Sequence, residues 1–251
     1  MAQSIVITMA GRGSRFYQAG YTQPKYEICA HGRSLFQWSM LSLMNFFRPD
    51  SQVIFVCLAE NKSADYVISQ SRRLGLQNVQ VVELDEVTDG QATSAYLSRE
   101  FWRQDDSLLI YNIDTYVNPQ ALRVEQIRPG SDGWVPCFTV PGNHWSFVKL
   151  DKEGWAEQIV EKQRISNHAS IGLYWFARAI DFAEAYQEYF SDTASLVGGE
   201  RYVAPLYTHL ISHGKRISIA DLAVADVHVL GTPAELQTFL KRDKAEVQPR
   251  S

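Results

Sequence analysis

A glycine-rich loop and two cations lie close together near the start of the chain. An apolar run at residues 5–10 leads into Gly11-Arg12-Gly13-Ser14-Arg15, and Pro24-Lys25 follows. β-Branched residues favour a buried strand, and glycines let backbone N–H groups approach an anion that a side chain would hold away. We therefore expect a phosphate-binding loop at the end of a strand, with Arg15 and Lys25 beside it.

Two well-known phosphate loops do not fit this segment. The P-loop requires G-x-x-x-x-G-K-[ST], which is absent, and the dinucleotide fingerprint requires a third glycine where the chain has Phe16. A plain glycine turn after a core strand is the structural alternative. A phosphate loop of another kind is the interpretation that the two cations favour.

The rest of the N-terminal half predicts the sheet that would carry this loop. Apolar residues recur at helical spacing over 35–46, and further helices are predicted at 66–74 and 92–102. Strands are predicted at 26–30, 53–58, 79–84 and 108–111. The run at 53–58 is continuously apolar, which is typical of a parallel strand covered on both faces. This alternation favours an open parallel sheet that binds ligands at the carboxyl ends of its strands.

Asp114 follows the strand predicted at 108–111 and is the first candidate metal ligand. A carboxylate at the carboxyl end of a strand, beside a phosphate loop on another strand, is where a ligand for Mg²⁺ is expected. An aspartate that accepts N–H bonds within a turn is the structural alternative. The glycine loop nearby favours the metal role.

From residue 133 the pattern changes to consecutive strands with short turns between them. Strands are predicted at 134–140, 146–150, 155–160 and 171–176, and helices at 180–189 and 202–212. The predicted fold class is α/β: a Rossmann-like, mostly parallel sheet flanked by helices, with an antiparallel insertion.

Composition excludes several classes of protein. The chain has 251 residues, of which 45% are hydrophobic, so it can form one large domain with a buried core. A formal charge of −4 and a pI near 5.9 favour neither nucleic-acid binding nor a membrane role, and no apolar run of about 18 residues exists. We expect reduced thiols at Cys29, Cys57 and Cys137, no signal peptide, and a cytoplasmic location.

The G-x-G-S-R segment and the following Pro-Lys resemble the signature of the sugar-phosphate nucleotidyltransferases, which make NDP-sugars from an NTP and a sugar 1-phosphate. Two further segments match patterns of that family: Glu161-Lys162 followed by Gly172-Leu173-Tyr174-Trp175-Phe176, and Gly231-Thr232-Pro233-Ala234-Glu235-Leu236. The overall pattern resembles members from bacterial capsule and surface-polysaccharide gene clusters. The matches reach both ends of the chain.

The resemblance implies the GT-A-like fold of nucleotide-diphospho-sugar transferases and a single domain over residues 1–251. Residues 1–130 would form the nucleotide-binding half and residues 131–230, which include the antiparallel insertion, the acceptor-binding half. Residues 231–251 would form a C-terminal helix and tail. The family commonly forms dimers or tetramers, so a homo-oligomer is one expectation.

The resemblance also implies roles for individual residues. Arg15, Lys25 and Asp114 would be catalytic. The nucleotide would contact Ala10, Gly11, Arg12, Gly13, Ser14, Gly90, Gln91 and Asn112, with Gly90 and Gln91 at the base. The acceptor would contact Glu161, Lys162 and Gly172, with Lys162 at its phosphate.

The chain departs from the family pattern at two places. Many members carry an aspartate two residues before Gly-Thr-Pro that completes the Mg²⁺ site, whereas this chain has Val229. Asp226 and His228 are the nearest replacements, and we predict Asp226 as the second ligand, although strand alternation requires a bulge or altered register to bring it to the metal. Tyr26-Glu27 after Lys25 is the second departure, and it leaves the loop geometry and the acceptor open.

The function that the resemblance implies is transfer of NMP from an NTP to a sugar 1-phosphate or similar acceptor, with Mg²⁺ as cofactor and pyrophosphate as product. CTP, UTP, dTTP and GTP all stay open, and so does a non-sugar acceptor such as phosphocholine. A GT-A glycosyltransferase that uses an NDP-sugar is one alternative. A non-catalytic, regulatory nucleotide-binding module is the other, because Val229 cannot ligate a metal.

Overall fold

The computed structural model describes residues 3–247. Strands and helices alternate in its first half, in the order β1 Gln3–Thr8, α1 Ser14–Gln18, β2 Cys29–Ala30, β3 Arg33–Ser34, α2 Leu35–Ser42, β4 Gln52–Leu58, α3 Ala64–Arg73, β5 Val79–Leu84, α4 Gln91–Leu97, β6 Ser107–Asn112 and β7 Thr115–Val117. No helix within residues 3–247 is both long enough and apolar enough to cross a membrane.

Strands dominate the second half of the described chain. The elements are β8 Gly133–Phe138, β9 Ser146–Leu150, β10 Ala156–Glu161, β11 His168–Ser170, β12 Leu173–Phe176, α5 Ala179–Tyr189, α6 Ala204–Ser212, β13 Ile217–Leu222, β14 Val227–Val229, α7 Pro233–Leu240 and α8 Lys244–Val247. Their bounds lie within a few residues of those predicted from the apolar pattern.

Ten strands form one mixed sheet, in the order β10-β9-β11-β8-β12-β6-β1-β4-β5, with β13 beside β8. The strands β6, β1, β4 and β5 are parallel, whereas β12 pairs antiparallel with β6 and joins the second half of the chain to the first. The predicted fold class is therefore confirmed. The insertion is not wholly antiparallel, because β13 returns parallel to β8.

Both faces of the parallel strands are buried. Val6, Ile54 and Ile110 pack into one hydrophobic cluster, whereas Ile5 and Phe55 pack into a second cluster across the sheet. Successive residues of a strand point to opposite faces, so a continuously apolar strand needs cover on both sides. The prediction for residues 53–58 is confirmed.

Two local predictions were wrong, each because turn hydrogen bonds replace the expected structure. Residues 26–30 were expected as one strand, but Lys25–Glu27 form a single 3-10 turn, in which Ile28 N–H donates to the Lys25 carbonyl oxygen (3.1 Å). Residues 171–176 were expected as one strand, but Gly172 separates β11 from β12 with a positive φ of 83°. Both interruptions lie beside the site described below.

His228 on β14 should make the folded protein acid-sensitive. Its ring stacks on Tyr116, with ring centroids 5.4 Å apart, and contacts Phe239. Burial, helped by the charge of Arg242, lowers the pKa of His228 from 6.5 to about 4. The folded state therefore disfavours the proton, and stability present above pH 6.5 is lost as the pH falls toward 4, by on the order of 3 kcal/mol.

Replacing this residue, His228→Phe, should remove most of that pH dependence while keeping the ring stack. Urea unfolding at pH 7.5 and pH 5 measures the difference, with the exposed His144→Ala as the control. An equal loss of stability at pH 5 in the wild-type protein and in His228→Phe would contradict the prediction.

Candidate active site

The carboxyl ends of β1 and β6 open into a cleft of about 510 Å³ between the two halves of the sheet. This volume is in the range of small-molecule sites. Seven predicted site residues line the cleft: Arg15, Gln91, Asn112, Asp114, Glu161, Lys162 and Gly172. The parallel strands and the insertion thus contribute residues to the same cleft.

Lys25 and Asp114 form an ion pair at this cleft. Lys25 Nζ lies 2.6 Å from Asp114 Oδ2, and the two side chains are 16% and 21% exposed. Lys25 is held by the 3-10 turn after Pro24, and Asp114 lies in the tight turn between β6 and β7. The pair joins two residues that the sequence analysis selected for separate reasons.

A second carboxylate lies beside Asp114, on α7. A Cβ atom added at Gly231 would lie 3.0 Å from Asp114 Oδ2 and 3.7 Å from Glu235 Oε2, so both carboxylates have an oxygen within 4 Å of that point. Glu235 is held at the start of α7 by Thr232, whose Oγ1 accepts the backbone N–H of Glu235 (3.2 Å) and donates to Glu235 Oε2 (2.8 Å). Both carboxylates line the cleft, and carboxylate oxygens are the ligands that Mg²⁺ prefers.

Asp226, predicted as the second metal ligand, is not brought to Asp114. Its Oδ1 accepts a hydrogen bond from Asn118 Nδ2 (2.9 Å) at the far end of β7. The register of β14 on β7 is regular and pairs Val229 with Thr115, so Val229 lies at the cleft and no bulge moves Asp226 toward it. The structure thus gives Asp226 a partner away from the cleft, whereas Glu235, which the sequence analysis did not select, is a second carboxylate that lines the cleft.

The glycine loop connects β1 to α1 at the edge of the cleft. Ala10 is buried, Gly11 is exposed, and Gly13 has a positive φ of 64° that favours glycine. Arg15 lines the cleft and makes no ion pair with any residue in 3–247. Arg12 and Ser14 instead line an adjacent open hollow next to Glu60.

Gln91 and Gly90 lie at the start of α4. Gln91 Nε2 donates to Thr8 Oγ1 at the end of β1 (3.1 Å), which orients its amide at the cleft. A Cβ atom on Gly90 would lie 2.3 Å from the carbonyl oxygen of Arg201. Only glycine allows this approach, so Gly90 lets the start of α4 pack against the segment that precedes α6.

Asn112 and Gly172 also approach closely because the glycine has no side chain. A Cβ atom on Gly172 would lie within 2.5–2.8 Å of the side-chain atoms of Asn112, and the φ of Gly172 is +83°. The amide of Asn112 therefore occupies the space that a larger residue at 172 would take. This contact lies where β12 pairs with β6, at the junction of the two halves.

Glu161 and Lys162 lie across the cleft at the end of β10. Ser146 Oγ donates to Glu161 Oε2, and the hydroxyl of Tyr174 lies 3.0 Å from Ser146 Oγ. Burial raises the pKa of Glu161 above its ordinary value. Lys162 has a positive φ of 57°, and its ammonium contacts Tyr202 and lies 3.8 Å from Glu200.

Replacing Glu161 should stabilise the folded protein at neutral pH. Its folded pKa is raised, so ionisation costs more in the folded state, and stability falls as the pH rises above the ordinary value of 4.5. Glu161→Gln keeps the bond to Ser146 without the charge. We expect a melting temperature above wild type at pH 7.5 and equal to it at pH 4. Glu157→Gln, exposed on the same strand, is the control, and an unchanged melting temperature at pH 7.5 would refute the argument.

Sequence reasoning missed several lining residues besides Glu235. Tyr202 and Glu200 precede α6, and Ser146 begins β9. No motif marks these three positions. Tyr174 lay inside the Gly-Leu-Tyr-Trp-Phe segment and Glu235 inside the Gly-Thr-Pro segment, so both had a signal that the sequence analysis used only to identify the family.

In sequence and in fold, this chain is similar to known nucleotidyl transferases. The family model for the nucleotidyl transferases matches residues 4–196. A nucleoside-diphosphate-sugar pyrophosphorylase from Vibrio cholerae RC9 is similar to this chain, with 35% identity and a TM-score of 0.88 over 95% of this chain and 100% of that one. A search of curated proteins gave no significant match.

Two further solved structures share the fold at 16% identity. One is an inositol-1-phosphate CTP transferase from T. maritima, with a TM-score of 0.73 over 95% of this chain and 96% of that one. The other is a putative glucose-1-phosphate thymidylyltransferase from Bacillus anthracis, with a TM-score of 0.74 over 95% and 94%. The family match and the Vibrio relative, together with a cleft built at the strand ends, identify the chain as an enzyme of the nucleotidyl transferase family.

Proposed function

We propose that this enzyme transfers NMP from an NTP to a sugar 1-phosphate or a similar phosphorylated acceptor and releases pyrophosphate. The observation that supports the proposal most directly is that two sets of polar residues face each other across one cleft. Lys25, Asp114 and Arg15 lie on the side of the parallel strands, and Glu161 and Lys162 lie on the side of the insertion. A nucleotide and an acceptor could therefore meet between them.

The nucleotide side supplies positive charge and oriented N–H groups. Lys25 would turn from Asp114 to the α-phosphate as negative charge develops there, and Arg15 would stabilise the leaving pyrophosphate. The backbone of Ala10 to Ser14 would hold the β- and γ-phosphates. Gln91, Gly90 and Asn112 would contact the base and ribose. The acceptor phosphate attacks directly, so no covalent enzyme intermediate is expected.

Asp114 and Glu235 would hold Mg²⁺, in place of the ligand set predicted from the sequence. When bound there, Mg²⁺ would neutralise the triphosphate and orient it for in-line attack. The support is that both carboxylates line the cleft close to Gly231 and supply the hard oxygen donors that this ion prefers. Val229 contributes an aliphatic wall to the same part of the cleft.

The acceptor side would be selective for a phosphate with hydroxyl groups attached. Lys162 would bind the phosphate once it leaves Glu200, Glu161 would accept bonds from the hydroxyls, and Gly172 would line the acceptor side while its lack of a side chain makes space for the Asn112 amide. The Vibrio relative's name refers to NDP-sugars, which makes a sugar 1-phosphate the first acceptor to test. Synthesis of surface-polysaccharide precursors is the pathway that we propose.

Pyrophosphate release tests the proposal. The purified chain is incubated with Mg²⁺, each of CTP, UTP, dTTP and GTP, and a panel of sugar 1-phosphates, inositol 1-phosphate and phosphocholine. We expect pyrophosphate and an NDP-linked product from one nucleotide and acceptor pair. A thermal-shift panel of the four nucleotides, run first, narrows the search by the rise in melting temperature.

Two arms of this assay separate the alternatives. An enzyme that consumed an NDP-sugar and released NDP, with no pyrophosphate from any NTP, would be a glycosyltransferase. Binding of an NTP with Mg²⁺ but without turnover on any acceptor in the panel would favour a regulatory module. Either result would overturn the proposal.

A further inference from the structure

A second group of ligating side chains lies outside the cleft, on the helices that follow the insertion. Glu188 is near the end of α5, His209 is on α6, and His213 immediately follows α6. One ligand atom from each lies within 4.8 Å of the other two. None of the three lines the cleft.

The hydrogen bond of His213 leaves one of its ring nitrogens ready to bind a metal. Nδ1 of His213 lies 2.9 Å from the carbonyl oxygen of His209. A carbonyl oxygen only accepts, so Nδ1 carries the proton and Nε2 keeps its lone pair. Metal-bound histidines usually donate their second ring N–H to a carbonyl or carboxylate in this way. On α6, Nε2 of His209 lies 3.0 Å from Glu188 Oε2, and a bound ion would take the place of the proton that these two atoms share.

The spacing and burial of the ligands suit one ion shared by two helices. His209 and His213 are four residues apart, so both rings lie on one face of α6, with centroids 4.4 Å apart. Glu188 comes from α5, whose Tyr189 packs edge-on against His209. The side chain of His209 is 18% exposed and that of Glu188 is 61% exposed, so the carboxylate is free to adjust while His209 is held.

We propose that Glu188, His209 and His213 bind a first-row transition-metal dication, with Zn²⁺ as the probe. Two imidazoles and one carboxylate suit Zn²⁺ and its neighbours, and three protein ligands leave one position for water. The donor set differs from the all-oxygen pair in the cleft, which favours Mg²⁺. The bound ion connects the ends of α5 and α6 and stabilises their packing.

The alternative is an ordinary His–Glu pair with a second histidine nearby. His168 and Asp221 provide the matched comparison in this chain, because their side chains lie 2.8 Å apart and no third ligand completes a metal group there within residues 3–247. If the alternative held, Zn²⁺ would bind equally at both pairs. The effect of replacing His213 on Zn²⁺ affinity therefore distinguishes a metal site from an ordinary His–Glu pair.

The test uses the full, tag-free chain stripped with a chelator and kept in excess Mg²⁺, so that oxygen sites are filled. Zn²⁺ is titrated calorimetrically, and Co²⁺ is titrated by the visible absorption of its four-coordinate form. We expect one ion per chain, binding at least about tenfold weaker in His213→Ala and in His209→Ala, and wild-type affinity in His168→Ala. His213 is exposed, so its variant should stay folded, which circular dichroism checks.

Two results would overturn the proposal. One is Zn²⁺ affinity in folded His213→Ala equal to that of the wild-type chain. The other is an equal weakening in His168→Ala, which would indicate non-specific binding to surface histidines. Neither result depends on transferase activity, so the outcome is independent of the proposed reaction.

Discussion

Lys25→Met should lower kcat for pyrophosphate release by at least about a hundredfold, with little change in stability. The loss follows because a cation that neutralises developing charge in a water-poor cleft contributes far more to the transition state than to the ground state. The folded protein loses one partly exposed ion pair with Asp114, which is worth about 1 kcal/mol or less. Steady-state kinetics and thermal unfolding measure the two effects.

Lys149→Met is the matched control for this variant. Lys149 also pairs with a carboxylate, Glu157, but lies half exposed on β9 and does not line the cleft. It should keep wild-type kcat. A double variant, Lys25→Met with Asp114→Asn, should lose less than the product of the two single losses, because the pair acts as a unit. Folded Lys25→Met with kcat close to wild type would remove Lys25 from the mechanism.

Glu235→Gln should weaken metal binding at least about tenfold while leaving α7 intact. The amide oxygen of glutamine can accept the hydrogen bond from the Thr232 hydroxyl as the carboxylate does, so the bonds to Thr232 are kept and only the charge toward Asp114 is lost. A carboxylate is the preferred ligand of Mg²⁺, and an amide oxygen replaces it poorly. Mn²⁺ binding, followed by electron paramagnetic resonance, measures the affinity apart from turnover.

Asp226→Asn is the control that decides between the two candidate ligands. Its carboxylate bonds to Asn118, away from the cleft, so its loss should leave Mn²⁺ affinity unchanged. The reverse pattern, with weak binding in Asp226→Asn and normal binding in Glu235→Gln, would assign the second ligand to Asp226. Val229→Asp should tighten binding, since Val229 lies at the cleft opposite Thr115 and next to Asp114.

Local patterns carried much of the fold and several positions of the site. Alternating apolar runs predicted the parallel strands, because their burial on both faces is a property of each strand's own residues. Strand β6 ends two residues before Asp114, as the apolar run indicated. The predicted strands were wrong at the 3-10 turn of Lys25 and at the break at Gly172, because backbone turns rather than apolar periodicity decide the structure there.

The sequence by itself determined the family, the fold class and the placement of Asp114 and the glycine loop at strand ends. Only the tertiary structure decided which of these groups meet. Lys25 reaches Asp114, Glu235 rather than Asp226 lies beside it, and Glu188 joins His209 and His213. The reason is physical: strand and helix periodicity depends on residues close in the chain, whereas these distances depend on strand register and on packing between distant segments.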